Sequence, residues 1–410
     1  MMLRQFNTLL LIFFLLTVIA CEKQKSTNEL GIEESTNTTV DINPFDTLLI
    51  WQIEDSFISP GYLKLYKDLI ITSKEPVLGE TYVSAYNSDC GELAWQHPLN
   101  ISHIPRSHKS KVIDDVIVES SQNWQIVLDA QTGNELWKAN VDEDFGHNFT
   151  RNSVVNYTNS ILTNQIKTND RSISYLVNLN LRNFRKIFEI TNDSVYRYSP
   201  VAPITNILKD GDTLIYALAH KYAHTTNEQE VDMYCYNISR QNMVWQKNSF
   251  DSHFNVYPTQ IDLETNSIIV LGLRCVYSFD LLTGKENWRH ERGWPHNMLG
   301  SNYLIGKEKV IFGEDIGPVV ALNKFTGELI WENDEFCCQI HDIKVYENVV
   351  LANGGWLMFL DLETGKTKYI IKDPDVSSNL FGGTAIDTEL KRIYIADYSY
   401  LYALKIPNFE

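Results

Sequence analysis

Short runs in which apolar and polar residues alternate at every second position, separated by clusters of Gly, Asn and Asp, fill the chain from about residue 46 onward. A period of two predicts β-strands with one face more buried than the other. Val112 to Glu119 followed by Trp124-Gln125-Ile126-Val127-Leu128, and Ser267 to Leu271 followed by Cys275-Val276-Tyr277-Ser278-Phe279, read as such strands. No window sustains a helical period, so an α/β architecture is excluded.

Between these runs one unit recurs: an apolar residue, Asp or Asn, two variable positions, Thr, Gly, three further positions and Trp. Four copies are nearly complete, at Asp129-Thr132-Gly133-Trp137, Asp280-Thr283-Gly284-Trp288, Asn323-Thr326-Gly327-Trp331 and Asp361-Thr364-Gly365 with Tyr369 in place of Trp. Asn87-Cys90-Gly91-Trp95 replaces the threonine, Asn237 to Trp245 keeps only the ends, and Asn180 to Phe188 keeps the spacing. The unit has the chemistry of a tight hairpin. An Asp or Asn side chain accepts hydrogen bonds from amides two or three residues on, and Gly takes the positive φ of the turn. The closing Trp is an apolar plate on an outer strand, able to pack on the next repeat.

Closing aromatics fall at 95, 137, 188, 245, 288, 331 and 369, and Trp51 stands 44 residues before Trp95. After Tyr369 the chain offers three strands, Gly383 to Asp387, Arg392 to Ala396 and Leu401 to Ile406, and the strand at Trp51 supplies a fourth. These counts predict an all-β, eight-bladed β-propeller of four-stranded antiparallel blades, closed by the N-terminal strand so that no edge is left at the seam. Seven blades is the alternative if Asn180 to Phe188 is not a repeat. The longer intervals are read as loops, among them Ala219 to Asp232.

The first residues belong to a different register of information. Met1 to Ala20 has an apolar run from Leu9 to Leu16 behind a single Arg4, too short to span a bilayer, and reads as a secretion signal. Val18-Ile19-Ala20-Cys21 resembles the bacterial lipobox, in which cleavage precedes a cysteine that carries lipid. The organisation read from sequence is therefore a signal peptide over 1–20, a polar flexible tether over 21–43 and a propeller over 44–410. It implies an exported lipoprotein held at a membrane through Cys21, with an outer-membrane location expected.

Composition narrows the partners. The formal charge is −17, which argues against a nonspecific grip on nucleic acid or on anionic lipid. Six cysteines are too few for a disulfide scaffold in a chain this long, and no zinc-type Cys/His spacing occurs.

The repeated Asp-x-x-Thr-Gly-x-x-x-Trp unit resembles the repeat of the pyrroloquinoline quinone (PQQ) family, the tryptophan-docking propellers of quinoprotein alcohol dehydrogenases. A lipoprotein of this length is similar, within that family, to the B components of the outer-membrane β-barrel assembly machinery. That resemblance implies a cofactor-free scaffold binding envelope proteins, with a contact run after the third blade. The corresponding stretch here, Val195-Tyr196-Arg197-Tyr198-Ser199-Pro200, keeps the family's arginine but not its leucines. The dehydrogenase branch implies instead PQQ and calcium on the channel axis under a disulfide of adjacent cysteines, for which Cys337-Cys338 is the candidate pair.

Counting forward from each closing Trp exposes a further regularity. His103, His147, His253, His296 and His341 lie eight or ten residues past Trp95, Trp137, Trp245, Trp288 and Trp331, half of the 10 histidines in the chain. Ser59, Asn379, Tyr196 and Tyr198 occupy the corresponding places elsewhere. In a propeller this is the passage to the innermost strand of the next blade, so the five imidazoles are candidates for the mouth of the central channel. They could bond to nearby backbone, bind a ligand or a partner's side chain, or hold a transition metal with Cys337, Cys338 or Asp342. His220 and His224 have metal-pair spacing but read as loop residues. Glu314, Asp315 and Asp397 read as a solvated acidic rim on the same face. The sequence has no Gly-rich phosphate loop, no GxSxG elbow and no assignable Ser/His/Asp set. The expected function is protein binding at the cell envelope without a cofactor. The alternative is a metal- or PQQ-dependent periplasmic enzyme built on the histidines.

Overall fold

The computed structural model describes residues 47–54, 58–74, 81–99, 111–113, 115–120, 124–140, 156–158, 161–167, 171–178, 183–191, 196–207, 211–223, 229–251, 260–272, 275–292, 303–313, 317–335, 340, 342–354, 356–371, 383–397 and 399–409. Their strands sort into eight four-stranded antiparallel sheets. Seven sheets are formed by four consecutive strands, within 58–98, 111–140, 156–191, 196–251, 260–291, 303–333 and 342–371. In the eighth, Thr384–Asp387, Arg392–Ala396 and Tyr400–Lys405 are completed by the N-terminal strand Leu49–Glu54, with Trp51 opposite Ala403. The expected closure is thus present.

Sheets stack face to face. One apolar cluster joins the first sheet to the second, and others join the fourth to the fifth, the fifth to the sixth, the sixth to the seventh, the seventh to the eighth and the eighth back to the first. Second strands are consequently buried on both faces, as in Ser267–Leu271, Lys309–Gly313 and Val349–Asn353. This is why the chain shows nearly continuous apolar runs there and clear alternation only on outer strands such as Glu286–Glu291.

The repeated turn is built as its chemistry requires. Asp129, Asp280 and Asp361 each accept bonds through Oδ1 from the amides two and three residues on and from the threonine hydroxyl, at 2.7 to 3.1 Å. Burial alone would raise the Asp280 and Asp361 carboxyls, but these bonds overcome it and hold both below the usual carboxylate range. Gly91, Gly133, Gly284, Gly327 and Gly365 lie at φ between 66° and 76°. Where glycine is missing, Gln241 takes φ 57° four residues after Asn237. Asn266 and Lys391 do likewise after Asp262 and Asp387, so the fifth and eighth sheets use a related turn between their first two strands, in the fifth as a second copy.

Each glycine is also the seat of an indole. A β-carbon at Gly91, Gly133, Gly284, Gly327 or Gly365 would meet Trp51, Trp95, Trp245, Trp288 or Trp331 of the preceding sheet at 2.4 to 2.9 Å. Four of these indoles donate Nε1–H to the carbonyl that follows the motif's Asp or Asn, at Ser88, Leu281, Lys324 and Leu362, over 2.9 to 3.1 Å. A register shift precedes the closing aromatic in all eight sheets, including Phe188 in the third. For Trp51, Trp95, Trp245, Trp288 and Trp331 the bulge turns the outer strand and aims the indole at the next sheet. At the seam, Ser88 carbonyl accepts from Trp51 Nε1, Arg392 Nη1 and Tyr394 Oη, and Arg392 also reaches Asp89 at 3.0 Å.

Two strand expectations are corrected. Val112 to Glu119 is not one strand but the hairpin Lys111–Ile113 and Val116–Ser120, turning at Asp115. Ala219 to Asp232 is not a loop: Thr213–Ala223 and Gln229–Asn237 run through it, paired from Leu214 with Asn237 to Tyr222 with Gln229. The long interval comes from long strands, because Val231, Met233 and Cys235 alternate into the core while the residues between them face the other side.

Candidate functional site

In an antiparallel four-stranded sheet, the turn between the middle strands and the links to neighbouring sheets lie at the same end. The five candidate histidines, His103, His147, His253, His296 and His341, fall in sequence between an outer strand and the next inner strand. They lie outside the described residues, as do Cys21, His224, Cys337, Cys338, Glu314, Asp315 and Asn379. Among the described residues no group of three or more His, Cys, Asp or Glu side chains is placed to hold a metal ion.

The described carboxylates at this end depart from the expected solvated rim. Asp397 is buried; its Oδ1 accepts from the amides of Ser399 and Tyr400 and its Oδ2 from Tyr402 Oη. It caps its own turn, and the segment closes around it because Tyr402 packs inward. Asp342, considered above as a metal partner, is also buried and spans two sheets, accepting from Thr384 N and Oγ1 and from Lys344 Nζ. Glu119 accepts from Ser73 Oγ at 2.8 Å in the same manner between the first and second sheets. Asp342 and Glu119 thus fasten neighbouring sheets together, while Asp397 caps a turn within its own sheet.

The fourth sheet stands out at this end. Its strands Tyr196–Ile207, Thr213–Ala223, Gln229–Asn237 and Asn242–Asp251 have 12, 11, 9 and 10 residues, against five or six for most others. Their upper parts carry a polar network on one face, since Tyr198, Lys221 and Glu230 stand opposite one another in register. Lys221 Nζ lies 2.7 Å from Glu230, 3.3 Å from Asp232 and 2.9 Å from Ser249 Oγ, with the Tyr196 ring centroid at 4.8 Å. Ser249, at φ 50° in a wide irregularity of the outer strand, donates its amide to Asp232 and its hydroxyl to Glu230. Tyr234 Oη donates to the other Asp232 oxygen at 3.1 Å.

Electrostatics define what this network can do. Desolvation works against the Lys221 ammonium, but Glu230 and Asp232 outweigh it and raise its pKa, while Lys221 and Ser249 hold Glu230 low. The lysine therefore stays charged, and the Ser249 hydroxyl donates to the Glu230 carboxylate, whose lowered pKa makes it a weak base. The network braces the extended strands against one another. On the opposite face, His220 is in a strand, paired with Ser199 and Val231, rather than in the expected loop, and burial pushes its imidazole down to about 4. Tyr196 and Tyr198, the counterparts of the histidines in this repeat, stand half-buried with ring centroids 6.5 Å apart. Lys221, Glu230, Asp232 and Ser249 were not singled out from sequence. The signal available was the alternation Glu230-Val231-Asp232-Met233-Tyr234-Cys235, which a strand satisfies and a loop does not.

The family model described as outer membrane protein assembly factor BamB matches residues 79–183 and 274–405, more than half of the chain. A search of the curated proteins gives no match. Solved structures that are similar include the computationally designed Ika8 protein, with TM-score 0.59 and 12% identity over 86% of this chain and 96% of that one. BamB from Moraxella catarrhalis has TM-score 0.57 and 14% identity over 87% of this chain and 99% of that one. The C-terminal WD40 domain of Sif2 has TM-score 0.57 and 9% identity over the same shares, 87% and 99%. At these identities the solved structures speak for the fold alone. Membership is carried by the family model, whose matched segments contain most of the turn-and-indole repeats built above: the chain belongs to the outer membrane protein assembly factor BamB family of PQQ-like β-propellers.

Proposed function

We propose that this protein is a lipid-anchored scaffold of the cell envelope, an eight-bladed propeller tethered through Cys21 that binds other envelope proteins at the end bearing the extended fourth sheet. The observation that carries the reading is the braced Lys221–Glu230–Asp232–Ser249 network on strands twice the usual length, in a chain of the BamB family. Eight four-stranded sheets, with a bulge before Phe188 like that before the other closing aromatics, support eight blades rather than seven. The five histidines, read from sequence as channel-mouth candidates, are proposed as further contact groups.

Partners read this end by shape and hydrogen bonding, because its charges are already paired. Two measurements test the reading. Cys21→Ala should move the protein from the membrane fraction to the soluble one; retention in the membrane would remove the lipid anchor. A photoreactive side chain at Tyr198 or Tyr222 should trap an envelope protein in cells, and Lys221→Met should reduce that adduct. Absence of any adduct from either position would rule out this end as the docking end.

A further inference from the structure

At the other end of the sheets, where the first-to-second and third-to-fourth strand turns lie, apolar side chains stand in solvent. Leu263 is 70% exposed, Phe325 51%, Leu329 50%, Leu282 46% and Ile330 40%. Leu263, Leu282 and Phe325 are neighbours, because the three turns that carry them are bonded together, and Leu329 and Ile330 follow on the outer strand Leu329–Asn333. Leu281 N donates to Asn266 O at 3.0 Å and Asn266 Nδ2 to Asp280 at 3.1 Å, which joins the Leu263 turn to the Leu282 turn within the fifth sheet. Lys324 Nζ reaches Glu264 at 2.7 Å and Asp262 at 3.2 Å, which joins the Leu263 turn to the Phe325 turn of the sixth sheet. Trp288 fixes the same junction from within by packing on Gly327 and donating to Lys324 O.

The repeat does not require Leu263, Leu282 or Phe325, whereas exposed apolar residues at the places of Leu329 and Ile330 recur at Leu93, Leu136, Met243 and Val244. At the position of Leu282 and Phe325, two after the motif's Asp or Asn, the corresponding turns have Asp89, Gln131 and Glu363. Apolar side chains at that position are therefore local to the fifth and sixth sheets, and a contiguous exposed apolar patch on rigid turns marks a contact surface. Its surroundings are acidic: the three turns hold Asp262, Glu264, Asp280 and Glu328 against Lys285 and Lys324, and Lys324 is neutralised from beneath by Asp262 and Glu264. Glu332 extends the acidic border along the outer strand beside Ile330.

We infer that this patch is a second docking surface, for a protein segment that presents apolar anchors flanked by Lys or Arg. Charge complementarity selects that occupant. A second copy of this chain would bring another −17 to an already acidic face, and an anionic bilayer would be repelled in the same way. The surface lies at the opposite end of the sheets from the fourth-sheet platform, so the two readings stand or fall separately.

The test combines two readouts on the full chain. A labelled amphipathic peptide of leucine and lysine should bind saturably by fluorescence anisotropy, more weakly as salt rises, while its leucine–glutamate counterpart does not. Leu263→Ser, Leu282→Ser and Phe325→Ser together should weaken it about tenfold or more, and Gln131→Ser should leave it unchanged. The substituted side chains are exposed, and an unchanged thermal midpoint checks that the fold is retained. In cells, a photoreactive group at Phe325 should yield a protein adduct whose cross-linked segment, mapped by mass spectrometry, is apolar and basic. Equal binding of both peptides, no effect of the triple variant, no adduct, or an adduct only to a second copy or to lipid would each overturn the inference.

Discussion

Substituting Gly327 by alanine isolates the contact that repeats around the molecule. Gly327 has φ 74°, and a β-carbon there would lie 2.5 Å from Trp288 Cε3 and 2.8 Å from Cδ2. Two costs arise. A left-handed backbone with a β-carbon costs about 1–2 kcal/mol, and forcing the well-packed indole aside costs about 1–3 kcal/mol more, so Gly327→Ala should destabilise by about 2–5 kcal/mol. The two separate in a double-mutant cycle. In a Trp288→Leu background the side-chain conflict is relieved, and Gly327→Ala should cost only the backbone part, leaving a coupling of about 1–3 kcal/mol. Gly211→Ala is the control, since its φ is 87° with no atom within 4 Å of the added carbon, and it should show the backbone part alone. The assay is equilibrium urea unfolding followed by far-ultraviolet circular dichroism, which does not depend on the indole removed. Equal cost of Gly327→Ala in both backgrounds, within about 0.5 kcal/mol, would refute the claim that Trp288 occupies the space over the glycine.

Three further outcomes follow from the same structure. Trp51→Ala removes the seam's plate on Gly91 and one of the three donors to Ser88 O, and should cost about 3–5 kcal/mol by urea unfolding, whereas Asp89→Asn, at an exposed ion pair, should cost under about 1 kcal/mol. Lys324→Met leaves the buried Asp262 carboxylate without its counter-charge, at a cost of about 3 kcal/mol, and Asp262→Asn in the same chain should recover much of it; no recovery would argue against that pairing. His220 titrates near 4 when folded and near 6.5 when unfolded, so between those values the unfolded chain binds the extra proton and stability falls as pH falls; unfolding free energy should drop by about 3 kcal/mol from pH 7 to 4 on this account, and His220→Gln should flatten the profile.

The amino-acid order alone determined the β class, the turn, the closing aromatic and the joining of the N-terminal strand to the last sheet. The reason is that the turn is a local object: Asp129 or Asp280 finds all its partners within the next few residues, and the glycine's φ is a property of one residue. Such patterns survive in sequence because no distant contact is needed to satisfy them. Left-handed Gln241 and Lys391 escaped that reading, since neither side chain announces a positive φ, and Asn266, a residue type that favours it, stands outside the Thr-Gly pattern of the repeat. Burial was not legible either. Asp397 reads as a rim acid and Asp342 as a possible metal partner in sequence; only the inward packing of Tyr402 in the same sheet buries the first, and the approach of Thr384 from a neighbouring sheet makes the second a fastener. The fourth sheet was misread because charged residues on one face of a strand resemble a loop until the partner strand pairs Lys221 with Glu230. Tertiary structure likewise decided that Leu263, Leu282 and Phe325, 62 positions apart from first to last, share one face, because that nearness is made by the Lys324 ion pairs and the Trp288 contact between sheets rather than by any spacing along the chain.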